Sequence, residues 1–481
     1  MTGQLAMIYT RCALFLGMVS LALLYGQNEA VQSDRKTNEQ RTREFAVSLA
    51  LEMPSEIAAE ALVDLARITP KGKARIEILL RAFWLAEHAT YGTQLRSVPG
   101  SSVDTVDGFL GMALKLGIDR CSIQSSIINE LLTVDPSRAL DYFTRMTAPE
   151  SARSTCGGQL IADPSAYYTT ATALFKAALT PAQRKTLDPV GLAARVFHQD
   201  MSPAQLSASA KMLADIAPVL SAADVSLLAA LLGQSLLTGR QDFQEFTFVR
   251  SELFHNVAVV LRMFGERQMA NITLLQQLGE YVLKQWRGDL CTAGNVGQQI
   301  SVAAREYNDI VNKMASPNPS NVKRLDAADF SVGKVARPQR PASYWATAQA
   351  NELQSRVKQL TTLKQSESSD LARTLLRDIS AWNATEKAHE GDIFNQKCVL
   401  LRHLYATSQL PLRLEALSTF VSVLASPPAV YDPTIWRLHL GELFDSTGGA
   451  DKAAERRVLI ESAGRGGPVM AFVTVRELTR R

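Results

Sequence analysis

Apolar residues recur at spacings of three and four along nearly the whole chain, and that period restricts it to helices stacked on helices. Ile76, Leu79, Leu80, Phe83 and Trp84 lie on one face of such a helix. Ile57, Ala61, Leu65 and Ile68 form another stripe, as do Phe254, Val257, Leu261 and Phe264. Leu371, Leu375, Ile379 and Trp382, and then Leu414, Leu417, Val421 and Leu424, repeat the pattern late in the chain. Each stripe needs a partner to bury it. Apolar residues make up 46% of the chain and charged residues 20%, so a sizeable core is available and a disordered chain is excluded. Strand signals are scarce. Ala471 to Val475 is β-branched but stands alone, and is read as helix.

Start signals agree with this fold class. Thr180-Pro181 and Ser202-Pro203 put a capping hydroxyl before a proline, with Gln183 and Gln205 placed to reach back to the cap. Asp135-Pro136, Asp163-Pro164, Asp188-Pro189 and Asp432-Pro433 are acidic versions of the same start, and Ser221 is a further polar one. Starts near 180, 202 and 221 are one helix plus a turn apart, which predicts consecutive antiparallel helices.

The N-terminus reads as an address. Arg11 precedes an uncharged apolar run, Cys12 to Leu24, and Tyr25 to Ala30 follow it. That is the layout of a secretory signal peptide over residues 1–30, cleaved after Gly26 or Ala30, with an uncleaved anchor as the alternative. The run is shorter than the roughly 20 residues a membrane span needs, and no later segment qualifies. Four cysteines then remain in an oxidising compartment: Cys121, Cys156, Cys291 and Cys398. Nearest-in-sequence pairing gives Cys121–Cys156 and Cys291–Cys398, with four buried free thiols as the alternative.

Two helical regions are expected, 44–315 and 343–481, joined by a Pro-rich stretch at 316–342. That stretch is basic: Lys323, Arg324, Lys334, Arg337 and Arg340 stand against Asp326 and Asp329. Lys323, Arg324, Arg337 and Arg340, with Arg476, Arg480 and Arg481 at the C-terminus, are the candidate contacts for an anionic partner. Tyr91–Val103 and residues 148–163 are expected to be surface loops.

Trp436-Arg437-Leu438-His439-Leu440-Gly441-Glu442-Leu443-Phe444 resembles a tetratricopeptide unit, with its Leu-Gly one residue late. It points to an irregular α-solenoid. Ala58 to Ala66, Ile379 to Trp382 and Phe394 to Leu400 resemble a group of exported, all-helical bacterial proteins of unknown activity. The resemblance implies export and a helical fold, and brings no catalytic residues. Leu459-Ile460-Glu461-Ser462-Ala463 resembles the catalytic Glu-Ser of exported lytic transglycosylases, where the Glu is a general acid in a dry cleft. That family's glycine-led Leu-Met-Gln element is missing here, and Gly464 to Pro468 ends the helix at once.

Catalytic and cofactor motifs are otherwise lacking. There is no phosphate loop, no dinucleotide fingerprint, no nucleophile elbow and no His-Glu-x-x-His among six histidines. His389 to Asp392 reads as a solvated helix start, and Cys398 and His403 are five apart, a poor fit to one helix face. No metal or cofactor is expected. The formal net charge of +4 over 481 residues gives no argument for nucleic acid. These observations lead to an exported, non-enzymatic helical scaffold that binds another protein or an envelope component. The alternative is an envelope hydrolase or lyase working by carboxylate chemistry.

Overall fold

In a computed structural model, helix follows helix from Glu29 to Thr479. The structure describes residues 29–98, 105–150, 153–178, 189–266, 272–292, 294–314, 322–338, 343, 345, 347–360, 362, 365–383, 390–447, 452–463 and 467–479. The apolar run 12–24, the Thr180-Pro181 start, Asp188 and His389 lie outside them. The chain separates into two units. The described part of the first, up to Leu49, is the body of helix α1 (Glu29–Ala50).

The second unit, Ala50–Arg481, opens with α2 (Ser55–Ile68), α3 (Lys73–Ala86), α4 (Val106–Leu114), α5 (Arg120–Leu132), α6 (Pro136–Arg145) and α7 (Ser165–Ala178). It continues with α8 (Pro189–Ala194), α9 (Pro203–Ile216), α10 (Ala222–Thr238), α11 (Phe243–Glu266), α12 (Ile272–Gln285) and α13 (Val296–Met314). The last seven are α14 (Ala348–Gln359), α15 (Gln365–Ala381), α16 (Glu390–Thr407), α17 (Leu412–Ala425), α18 (Pro433–Ser446), α19 (Ala453–Ala463) and α20 (Pro468–Thr479). The fold is all-α, and Ala471–Val475 lies inside α20.

The starts at Ser202, Asp135, Ser221 and Asp432 work as the sequence predicts. Ser202 and Gln205 form a reciprocal capping box on α9, and Asp135, Ser221 and Asp432 accept backbone N–H groups at the starts of α6, α10 and α18. Each cap satisfies donors that a helix leaves orphaned at its first turn. Consecutive helices pack together, α2 on α3, α5 on α6 and α16 on α17, and so do next-but-one helices: α3 on α5, α5 on α7, α7 on α9, α9 on α11 and α11 on α13. The same rule joins α14 to α16 to α18 and α15 to α17 to α19. The end of the chain then returns to its beginning, with α18 and α20 both packed on α2 and α18 on α4.

Three expectations are corrected. First, the expected loops 91–103 and 148–163 contribute strands that pair with each other. Strand β1 (Gln94–Ser97) runs antiparallel to β2 (Leu160–Asp163). A strand short of alternation shows no period of its own, and only the pairing reveals it.

Second, the Pro-rich stretch is more than a spacer in its described part. Within it, β4 (Val335–Ala336) pairs in parallel with β3 (Leu290–Cys291). Asn308 donates to the Leu325 carbonyl at 2.8 Å and accepts from the Leu325 N–H at 2.9 Å. Val322, Leu325 and Phe330 are buried, and Phe330 meets Trp286 edge-on at 5.6 Å. Prolines remove the helical period but leave isolated apolar anchors.

Third, the disulfide is Cys156–Cys291, with a Cα–Cα distance of 5.2 Å. Cys121 and Cys398 are free and buried, so neither Cys121–Cys156 nor Cys291–Cys398 forms. Cys121 lies in α5 and Cys398 in α16, each among core residues. Burial pushes the Cys121 thiol up to about 12 and raises Cys398 as well. Among the described residues, no helix is long and apolar enough to cross a membrane.

Candidate functional site

Helix α2 carries Glu60, Asp64 and Arg67 at positions i, i+4 and i+7, one polar line on a helix whose other faces are buried. Helices α18 and α20 bring Arg437 and Arg476 against that line, and α3 and α5 bring Arg75 and Glu130 to its far end. The seven side chains make a continuous ladder.

Arg437 donates Nε and Nη2 to the two oxygens of Glu60 at 2.6 and 2.7 Å. Arg476 donates Nη2 to Glu60 at 2.7 Å and Nη1 to Asp64 at 2.7 Å. Arg67 donates Nη1 to Asp64 at 3.0 Å, Nε to Glu130 at 2.9 Å and Nη2 to the Ser126 hydroxyl at 2.9 Å. Arg75 closes the row on the other oxygen of Glu130. Phe472 lies under two of these cations, with Arg437 at 4.8 Å and Arg476 at 5.5 Å from its ring centre.

The two acids on α2 feel different fields. Burial pushes Glu60 up, but the charges and hydrogen bonds of Arg437 and Arg476 hold it below the ordinary carboxylate range. Burial also pushes Asp64 up, and with the neighbouring Glu60 charge it outweighs the pull of Arg476 and Arg67. Glu60 therefore holds its charge more strongly than Asp64.

Gly441 makes room for this arrangement. A Cβ there would sit 2.4 Å from Nη1 of Arg437, one turn earlier on α18. The glycine that gives the helix its likeness to a tetratricopeptide unit thus has a local role: it clears space for a guanidinium fixed by Glu60.

Two depressions meet at the ladder. One, of about 300 Å³, is lined by Asp64, Arg67, Ile68, Phe444, Phe472 and Arg476 among others. The second, about 370 Å³, lies between α5 and α7 and is lined by Ser122, Ser126, Asn129, Ser165 and Thr169. Arg67 lines both.

The sequence candidates fall elsewhere. Lys323 is exposed and pairs with Asp329 in its own segment. Arg324 and Arg337 are exposed, and Arg340 lies outside the described residues. Of the C-terminal arginines, Arg476 is in the ladder, and Arg480 and Arg481 are not described. Glu461 is exposed near the end of α19, and Ser462 faces the Ser418 hydroxyl at 3.2 Å, so that pair does not sit in a dry cleft. Among the described residues, no three His, Cys, Asp or Glu side chains converge as metal ligands.

Sequence reading missed Glu60, Asp64 and Arg67 as a site, although their spacing on a largely apolar helix is the signal that finds them. It also missed His439. That ring is fully buried on α18, 5.5 Å from Phe109 and 6.5 Å from Phe420, and neither of its nitrogens is hydrogen-bonded. Burial, and then the Arg402 charge, push it down to about 3.

A second buried charge cluster ties the fold together at the start of α11. Glu245 accepts from the Ser202 hydroxyl at 2.7 Å and the Ala204 N–H at 3.0 Å, and it pairs with Arg240 at 3.3 Å. Asp242 accepts the Ser154 N–H at 2.8 Å, two residues from the disulfide.

Comparison with protein-family models, curated proteins and solved structures finds no match.

Proposed function

We propose that this chain is an exported, non-enzymatic helical scaffold that binds a component of the cell envelope through the paired depressions at α2. One observation carries the reading: the acids of the cleft are bound into the Arg–carboxylate ladder. Glu60 and Asp64 each accept from two guanidiniums, which suits a rigid recognition surface better than a proton donor. The Cys156–Cys291 disulfide supports export, because such bonds persist in oxidising compartments. Helices packed on both the next and the next-but-one helix support a solenoid-like arrangement, an architecture that offers extended binding faces.

One observation favours the envelope hydrolase or lyase. Asp64 is pushed up beside Glu60, which is held down, and acids moved apart in this way are the material of acid–base catalysis. The test is a pull-down of the purified protein from envelope extract, run beside an assay for release of soluble fragments from wall material. Recovery of an envelope component that Arg67→Ala no longer retains supports the scaffold. Fragment release abolished by Asp64→Asn overturns it.

A further inference from the structure

We propose that the outer edge of β4 takes an extended acidic peptide as an added strand. This surface shares no residue with the depressions at α2 and goes beyond the reading above.

The register leaves one side of β4 open. Leu290 pairs with Val335, and Cys291 with Ala336. Leu290 donates its N–H to the Lys334 carbonyl at 2.8 Å, and Thr292 donates its N–H to the Ala336 carbonyl at 3.1 Å. Backbone groups face alternate sides along a strand, so Val335, between those carbonyls, turns its own N–H and C=O away from β3. Neither group has a partner among the described residues. An open edge of this kind is a template for another strand.

The edge is also held still. Cys291 in β3 is bound to Cys156, and Gly333 donates its N–H to the Trp286 carbonyl at 2.9 Å. Phe330 is buried against the Trp286 ring. Beside these anchors, Val332 and Val335 are 45% and 46% exposed. A fixed edge loses little freedom on binding, and the two valines offer apolar area to a partner's side chains.

Charge chooses the occupant. Lys334 and Arg337 flank β4 and are exposed, and the chain leading into β3 carries exposed Arg287 and Asp289. Three cations stand against one acid, and none of the four has an ion pair among the described residues. An acidic strand meets opposite charge here. A second copy of the same edge would set Lys334 and Arg337 against their own kind, which is unfavourable. A lipid headgroup or a wall polysaccharide brings charge but lacks the repeating N–H and C=O that the backbone of Val335 would pair with.

The experiment selects binders to the full chain from a displayed library of random short peptides. Affinities of the strongest binder are then measured for wild type, Val335→Pro and the double change Lys334→Glu with Arg337→Glu. Val335→Pro removes a donor on the open side, while the bonds to β3 use Lys334 and Ala336. The double change alters only exposed side chains, and thermal melts check that both variants fold. We expect the selected peptides to be rich in Asp and Glu, and affinity to fall roughly tenfold or more in each variant. No peptide selected, or selected peptides without an acidic excess, overturns the proposal. Binding lost on charge reversal but unchanged in a folded Val335→Pro also overturns it, because charge then acts without an added strand. Equal binding of dextran sulfate, or sedimentation of wild type as a dimer that Val335→Pro dissolves, gives the edge to another occupant and overturns it too.

Discussion

Arg437 and Glu60 stand 377 residues apart in sequence and meet through two parallel hydrogen bonds of 2.6 and 2.7 Å. The pair fastens α18 to α2, the end of the chain to its beginning. Arg437→Ala leaves the Glu60 carboxylate half-buried with one fewer partner, and a loss of about 3–5 kcal/mol is expected. Replacing both, as Glu60→Leu with Arg437→Met, is expected to cost clearly less than the sum of the single changes. Urea titration of the four proteins measures this coupling. Additive losses would mean that the pair is not a fastening.

Gly441→Ala follows from the same geometry. In an exposed helix, that change gains up to about 1 kcal/mol. Here the new Cβ meets Nη1 of Arg437 at 2.4 Å, so a net loss of about 1–3 kcal/mol is expected instead. In an Arg437→Ala background the obstruction is gone, and the same substitution becomes neutral or stabilising. Thermal melts of the two backgrounds give opposite signs if Gly441 exists to clear the guanidinium.

His439 gives a pH dependence. Its folded value, about 3, lies below the ordinary 6.5, so the unfolded chain binds the proton more readily. The stability contribution is complete above pH 6.5 and is lost as pH falls from 6.5 towards 3. At 1.36 kcal/mol per unit, the loss by pH 5 is about 2 kcal/mol. His439→Leu keeps the ring pocket apolar and is expected to flatten the stability curve between pH 7 and 5. Glu60 gives the same direction of loss, but only below its ordinary 4.5. A variant as steep as wild type over pH 7 to 5 would remove His439 from the account.

Non-reduced peptide mapping is expected to recover Cys156 joined to Cys291. Cys121 and Cys398 are expected to react with alkylating reagents only once the protein is unfolded, since both are buried. The bridge spans 135 residues, and loop entropy puts its stabilisation at up to about 5 kcal/mol, so reduction is expected to lower the urea midpoint. A Cys121–Cys156 peptide would refute the arrangement.

Helix starts at Ser202, Asp135, Ser221 and Asp432 were legible because a cap and the N–H that donates to it lie within three residues. Strands β1 and β2 were not, because each makes sense only through a partner more than sixty positions away. The binding residues expected in the basic stretch were read from local charge, and for Lys323 the nearest acid, Asp329, already occupies it. The candidate site was half legible: Glu60, Asp64 and Arg67 share a helix face, but nothing local to them names Arg437 or Arg476.

The sequence by itself determined an all-α chain, since a 3.6-residue apolar period and short-range caps act within one helix. Tertiary structure alone decided which cysteines pair, where the Pro-rich segment docks, and that Glu60 and Asp64 belong to one ladder with Arg437 and Arg476. Those outcomes depend on distances between residues far apart in the chain, and packing sets such distances.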